Sequence, residues 1–295
     1  MPDHEDPEFE AGATVELALD DLRRLLPIDP EHLREQLPGL EPERHVTDWG
    51  RSERVEAVVD RTLYDFLYHY WHRVEVEGVE NVPLQGGALL VANHSGVFPS
   101  DGAMIAKAIR ERHGRGRALQ LATESHLAGL PGVGMLATKL GAVAAHPANL
   151  HRLLFDERQL VLVFPEGTHG VRKALGQRYR LRPFEGAAFA PIAIHARVPI
   201  VPVAVLGAEE ALPRFGGLGP LKRLITGVGG IAITTGLPLP AKFRIRFLEP
   251  VETDGVDPAS SGDPGFVDGL QNDIRALIQE NLLELVAQRR SVWLG

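Results

Sequence analysis

The spacing of hydrophobic positions changes along the chain, and each change marks a different kind of element. From residue 52 to 72, Val55, Val58, Val59, Leu63, Phe66, Leu67, Tyr70 and Trp71 recur close to every 3.6 residues, which predicts one amphipathic helix with an aromatic end. Such a helix packs on a domain core or, with Tyr64, Tyr68 and Trp71 at an interface, rests on a membrane. Beyond it the pattern shortens into apolar runs at 74–78, 88–93, 119–123, 141–145, 160–165, 200–207 and 243–249. Several of these runs are continuously apolar, as strands covered on both faces are. The prediction is an α/β fold, a largely parallel (mixed) sheet flanked by helices. Helical stretches at 100–112 and 147–158 fall between strands, and 268–290 closes the chain with Leu270, Ile274, Leu277, Ile278, Leu282 and Leu285 inward.

Charge divides the chain where the periodicity does. Of 39 acids and 31 bases in 295 residues, the first 50 residues hold fourteen acids and four arginines, which leaves 25 acids and 27 bases for the rest. Residues 1–50, broken by Pro27, Pro30, Pro38 and Pro42, read as an acidic, partly disordered extension with some helix. Residues 51–295 form the main domain, with its core at 74–250. That body is only faintly basic, which argues against nucleic acid as a partner. With no cysteine there is neither a disulfide framework nor a thiolate nucleophile. The start lacks the apolar region of a signal peptide, and no uncharged apolar run reaches the ~18 residues of a spanning helix. The expected location is cytoplasmic, with peripheral contact at the inner face of a membrane.

Candidate chemistry gathers where strands end, the usual place for sites in open α/β sheets. His94 directly follows the run at 88–93, and Asp101 falls in the first turn of the next helix. Alone, each has an ordinary structural explanation, as a packed histidine or as an acid at a helix start. Together they make a base and its orienter: a carboxylate on Nδ1 leaves Nε2 free to take a proton from a hydroxyl. No Gly-x-Ser-x-Gly elbow is present, so the nucleophile belongs to the substrate. In "LVLVFPEGTHG", the Pro-Glu-Gly after an apolar strand places Glu166 and the Gly167 amide at a strand mouth.

"NHSGVFPSD", then "GAVAAHPAN", "VFPEGT" and "VPIVPVAV" in that order, resembles the glycerolipid (PlsC-like) acyltransferase family, which includes 1-acylglycerol-3-phosphate acyltransferases. The resemblance spans about residues 74–250. It implies acyl transfer from a thioester, on CoA or acyl carrier protein, to a lipid hydroxyl of lysophosphatidate type, with His94 as general base and Asp101 holding it. It implies further that Glu166, Gly167 and Thr168 help bind the acceptor and that Pro199 shapes the donor side. No cofactor or metal is expected beyond the acyl thioester substrate.

Two departures bear on the acceptor. The pair His94 and Asp101 stands seven positions apart where five is usual, so Val97 to Pro99 are expected to bulge outward. Where phosphate-acceptor members commonly carry arginine, this chain has His169 and His146, and a neutral imidazole does not reproduce a permanently charged bidentate fork. Compensating charge lies in 171–182, where Arg172, Lys173, Arg178, Arg180 and Arg182 occur without an acid; Arg152 is another candidate. The glycine-rich stretch 213–240 reads as an acyl channel lining, a segment dipping into the head-group region, or a mobile loop over the core. The sequence thus leaves open a neutral glyceride or other non-phosphate lipid alcohol as acceptor, and a catalytically silent lipid-binding relative.

Overall fold

The computed structural model describes residues 46–94, 100–114, 117–123, 132–167, 170, 173, 175–184, 188–211 and 238–293. The chain divides into two units, Met1–Val46 and Thr47–Gly295, and the second holds the sheet and its helices. The acidic extension and almost all of 213–240 lie outside the described residues.

All seven predicted strands form, one with the expected bounds and six shortened at one or both ends: β1 (Glu75–Glu77), β2 (Ala88–Ala92), β3 (Leu119–Thr123), β4 (Ala142–Ala144), β5 (Leu160–Val163), β6 (Ile200–Leu206) and β7 (Arg244–Phe247). They make one sheet in the order β1-β7-β6-β2-β5-β3-β4. β6, β2, β5, β3 and β4 are mutually parallel. β7 pairs antiparallel with β6, and β1 runs parallel to β7, so the sheet is mixed at that end.

Every residue of β2, β5 and β6 except Pro202 is a buried hydrophobic, because helices cover both faces. Successive side chains point to opposite faces. Ala88, Leu90 and Ala92 therefore join a core with Met104, Ile105 and Ile109 of α2 (Ser100–His113). Leu89 and Val91 join a second core with α5 (Phe189–Ala196) and α7 (Pro264–Gln288). Three shorter helices complete the described set: α3 (Val133–Lys139), α4 (Pro147–His151) and α6 (Ala208–Ala211).

The first predicted helix begins as α1 (Glu53–Val59), capped by Ser52, and continues as π-wound turns over Asp60–Tyr64 and Phe66–Trp71. It packs on the core: Tyr64 and Tyr68 are buried, and burial pushes both phenols up to about 12. The half-buried Trp71 indole donates to the Pro238 carbonyl at 2.8 Å. The three aromatics expected at an interface thus face inward. Val58, Leu63, Phe66 and Tyr70 are exposed instead, leaving an apolar stripe on the outer face.

This helix meets α2 through charge as well as oil. Glu56 receives the Arg51 fork at 2.8 and 2.5 Å and also an Arg110 nitrogen. Asp60 receives Arg110 Nη1 at 2.5 Å and Lys107 Nζ at 3.3 Å.

Immediately after the π-wound turns, His72 is fully buried, its ring tilted against Phe243 with centroids 4.3 Å apart and Nδ1 donating to the Ala241 carbonyl at 3.0 Å. Burial, partly offset by that hydrogen bond, lowers its pKa to about 4 from 6.5. Between those values the unfolded chain binds a proton that the folded chain refuses, so stability falls as pH drops through this window. We expect this one residue to cost about 2 kcal/mol between pH 7 and pH 5. Urea titrations of wild type and His72→Phe at both pH values check it. The variant loses the pH-dependent part, and equal slopes for the two proteins contradict the assignment.

Candidate active site

β2 stops at Ala92 because Asn93 takes over its ladder with a side chain. Asn93 Nδ2 donates to the Val205 carbonyl at 2.9 Å, and Val205 N–H donates to Asn93 Oδ1 at 2.8 Å. The amide imitates a peptide group, so the main chain leaves the sheet without orphaning its neighbour on β6. His94 is thereby delivered at the carboxyl end of the central strand.

Asp101 arrives from the first turn of α2, where a helix start favours an acid. His94 Nδ1 donates to Asp101 Oδ2 at 2.9 Å. Asp101 Oδ1 also accepts from the Gly102 N–H at 3.1 Å. The carboxylate is wholly enclosed, while the imidazole keeps 19% of its side chain accessible. One imidazole face stacks on Phe164, with centroids 4.4 Å apart and planes at 25°. Held at an edge and a face, the ring has Nε2 as the nitrogen left to exchange a proton. The intervening residues 95–99, with the expected bulge, lie outside the described residues.

Glu166 follows β5 by three positions and meets His94 through the main chain rather than through a substrate-facing carboxylate. Its side chain is fully enclosed. Oε1 accepts from His94 N–H at 3.1 Å and Oε2 from Arg182 N–H at 2.7 Å. Lys173 Nζ bridges it at 2.8 and 3.2 Å and reaches Glu209 Oε1 on α6 at 3.1 Å. A carboxylate with this many donors is committed to structure. The Gly167 amide is likewise engaged, donating to Phe164 O at 2.9 Å inside the turn. Gly170 packs against this corner: a Cβ there would stand 2.7 Å from His94 O and 2.8 Å from Glu166 Cβ, so no side chain fits.

The basic segment is pinned rather than loose. Tyr179 N–H donates to Glu209 Oε2 at 2.7 Å, and Gln279 of α7 clasps Leu181 N–H and Tyr179 O at 2.8 and 2.7 Å. Arg289 Nη2 donates to the Tyr179 hydroxyl at 2.8 Å and Nη1 to Glu210 at 2.5 Å. Burial holds the Glu209 carboxyl above the usual carboxylate range, opposed by Lys173. Arg178 lies over the Tyr179 ring, Arg182 reaches Gln177, and Arg180 is exposed.

The structure thus gathers His94, Asp101, Glu166, Gly167 and Lys173 at one corner, but not every candidate. Lys173 corrects the expectation of an anion receptor, since its ammonium lies between two acids with 3% of the side chain accessible. Pro199 precedes β6 at the amino end of the sheet, level with Ala88 by the register. That is six positions from His94, about 20 Å along the strands. Rather than shaping a donor site, its carbonyl accepts from Leu89 N–H at 3.0 Å. His146 caps α4 beyond β4, three strands or about 14 Å across the sheet from β2. Arg152 is a surface residue paired with Asp48 and Glu157. Thr168, His169 and Arg172 lie outside the described residues.

Sequence reasoning passed over Phe164, Asn93 and Glu209. Phe164 and Asn93 stood inside the motifs as neighbours of Glu166 and His94, and Glu209 was signalled by the acidic doublet after "IVPVAVLGA". Among the described residues one group has metal-ligand geometry, Asp65, His69 and Glu111. Lys107 Nζ already lies 2.5 Å from Asp65 and 3.1 Å from Glu111, placing a cation there from the chain itself.

Comparison with known proteins adds four findings. A family model described as acyltransferase matches residues 73–206. An uncharacterized protein of Mycobacterium tuberculosis is 37% identical over 97% of this chain and 82% of its own length. A DGAT1/2-independent enzyme synthesizing storage lipids from Gallus gallus is 28% identical over 65% of this chain and 56% of that protein. The crystal structure of the 1-acyl-sn-glycerophosphate (LPA) acyltransferase PlsC from Thermotoga maritima shares the fold, with a TM-score of 0.54 at 21% identity over 95% of this chain and 93% of that one.

Proposed function

Because the chain belongs to the acyltransferase family, we propose that it moves a fatty acyl group from an acyl thioester, on CoA or acyl carrier protein, to a lipid hydroxyl, with His94 as general base. The observation that carries this reading is the 2.9 Å contact of His94 Nδ1 with a fully enclosed Asp101. Nε2 takes the hydroxyl proton as the hydroxyl oxygen bonds to the thioester carbonyl carbon. Asp101 stabilises the imidazolium so formed. Collapse of the tetrahedral intermediate breaks the C–S bond, and the departing thiolate takes the proton from Nε2. Ester and free thiol leave together.

For the acceptor, the observations favour an uncharged glyceride or similar lipid alcohol. Lys173 is neutralised, His146 stands away from the corner, and one relative is named for storage-lipid synthesis. A lysophosphatidate-type acceptor is the second reading, supported by Arg178, Arg180 and Arg182 on the pinned segment. No helix among the described residues is long and apolar enough to cross a membrane. In this reading the outward stripe of Val58, Leu63, Phe66 and Tyr70 rests on the lipid surface that supplies the acceptor.

One experiment separates these. Purified full-length protein receives palmitoyl-CoA and phosphatidylcholine vesicles carrying either monooleoylglycerol or oleoyl lysophosphatidate, and lipid products are counted. We expect the monoacylglycerol to be the better acceptor by about tenfold or more in kcat/KM, the worth of one poorly matched charge. Preference for lysophosphatidate selects the second reading, and no product from either marks a silent relative. The same vesicles should retain wild type and release Phe66→Ser/Tyr70→Ser.

A further inference from the structure

Glu166 and Glu209 each hold a main-chain N–H of the 175–184 segment, from Arg182 and Tyr179, and Lys173 Nζ meets both oxygens of Glu166, at 2.8 and 3.2 Å, and the second oxygen of Glu209 at 3.1 Å. One ammonium therefore serves two buried carboxylates, and the trio is a positive charge short. Only Glu166 also reaches His94 N–H. Without the ammonium, two anions would share a space largely closed to water. Such a pair relieves itself by taking up a proton or by turning one carboxylate away. Where Glu166 is the one that changes, its grip on the His94 main chain, against which Gly170 is packed, weakens or is lost.

We propose that Lys173 is a positioning residue for His94: by drawing Glu166 and Glu209 together it fixes the Glu166 carboxylate on the His94 N–H and keeps the imidazole aligned with Asp101. This rests on the reading of His94 as the base. The lysine then acts on the rate of proton transfer and not on capture of an anionic substrate.

Its test uses full-length Lys173→Met and Lys173→Met/Glu209→Gln. The readouts are kcat, KM for palmitoyl-CoA, and the Nδ1–H resonance of His94, assigned by its loss in His94→Ala. Lys173→Met is expected to lower kcat by about 10- to 100-fold, with KM within about threefold, as a misplacement of the base does. The His94 resonance should move or broaden. The double variant, which removes one anion with the cation, should recover about tenfold of that loss. Wild-type kcat with an unmoved His94 resonance overturns the proposal. So does a raised KM at constant kcat, which would mark Lys173 as a substrate-binding cation. Should Lys173→Met not fold, Lys173→Gln keeps a polar side chain and removes only the charge, with the same outcomes. If wild type acylates neither acceptor, the catalytic reading fails while the resonance still decides the positioning role.

Discussion

His94→Ala is expected to lower kcat for acyl transfer by about 10³-fold, within the range a positioned general base contributes. The thioester retains its own reactivity and the binding surfaces remain, so KM for the acyl donor should change little. Asp101→Asn is the sharper substitution. The amide fills the same volume and its oxygen can still accept from Nδ1, but its NH2 can also present itself and hold the ring in the opposite tautomer, with Nε2 protonated and useless as a base. A loss of about 10²-fold or more is the consequence, together with the loss of the charge that stabilises the imidazolium. Steady-state kinetics on the accepted lipid check both variants, with thermal melting to show that each is folded. A folded His94→Ala protein at wild-type rate would remove the imidazole from the chemistry altogether.

That pair is legible in the sequence, because an apolar strand ending in a polar residue and a helix starting with an acid are local features, and α/β geometry brings such ends together. The seven strands were legible for the same reason. Their directions were not: nothing in "FRIRFLE" says that β7 runs against β6. Nor do apolar positions at a 3.6 spacing distinguish α-winding from the π-winding over Asp60–Trp71, which turned Tyr64 and Tyr68 inward and Phe66 and Tyr70 outward. Glu166 and Lys173 show a different limit. Sequence places a carboxylate at a strand mouth and a lysine in a basic run, but partners decide what each does. Those partners, Glu209 and the N–H groups of His94 and Arg182, come from positions far apart in the chain or within an irregular loop. Pro199 was misplaced by motif order, since only the ladder register shows that it sits at the opposite end of β6.

The largest loss of stability is expected from Asp60→Ala. Asp60 looks out from the amphipathic pattern as an ordinary polar position, yet its side chain is only 8% exposed and accepts from both Lys107 and Arg110. Removing one partner of a buried ion pair costs about 3 to 5 kcal/mol, because the surviving charge has been stripped of water without compensation. Here Arg110 keeps Glu56, and Lys107 keeps Asp65 and Glu111, so the lower end applies, about 3 kcal/mol. For a domain of this size that corresponds to a fall of roughly 6 to 12 °C in Tm. Asp65→Ala supplies the contrast: the same Lys107 is its partner at 2.5 Å, but the carboxylate is 40% exposed. Exposed pairs contribute about 0 to 1 kcal/mol, so Tm should barely move. Calorimetry on the two variants decides whether burial or mere proximity sets the worth of these ion pairs. Equal effects from Asp60→Ala and Asp65→Ala would show that water reaches the α1–α2 seam.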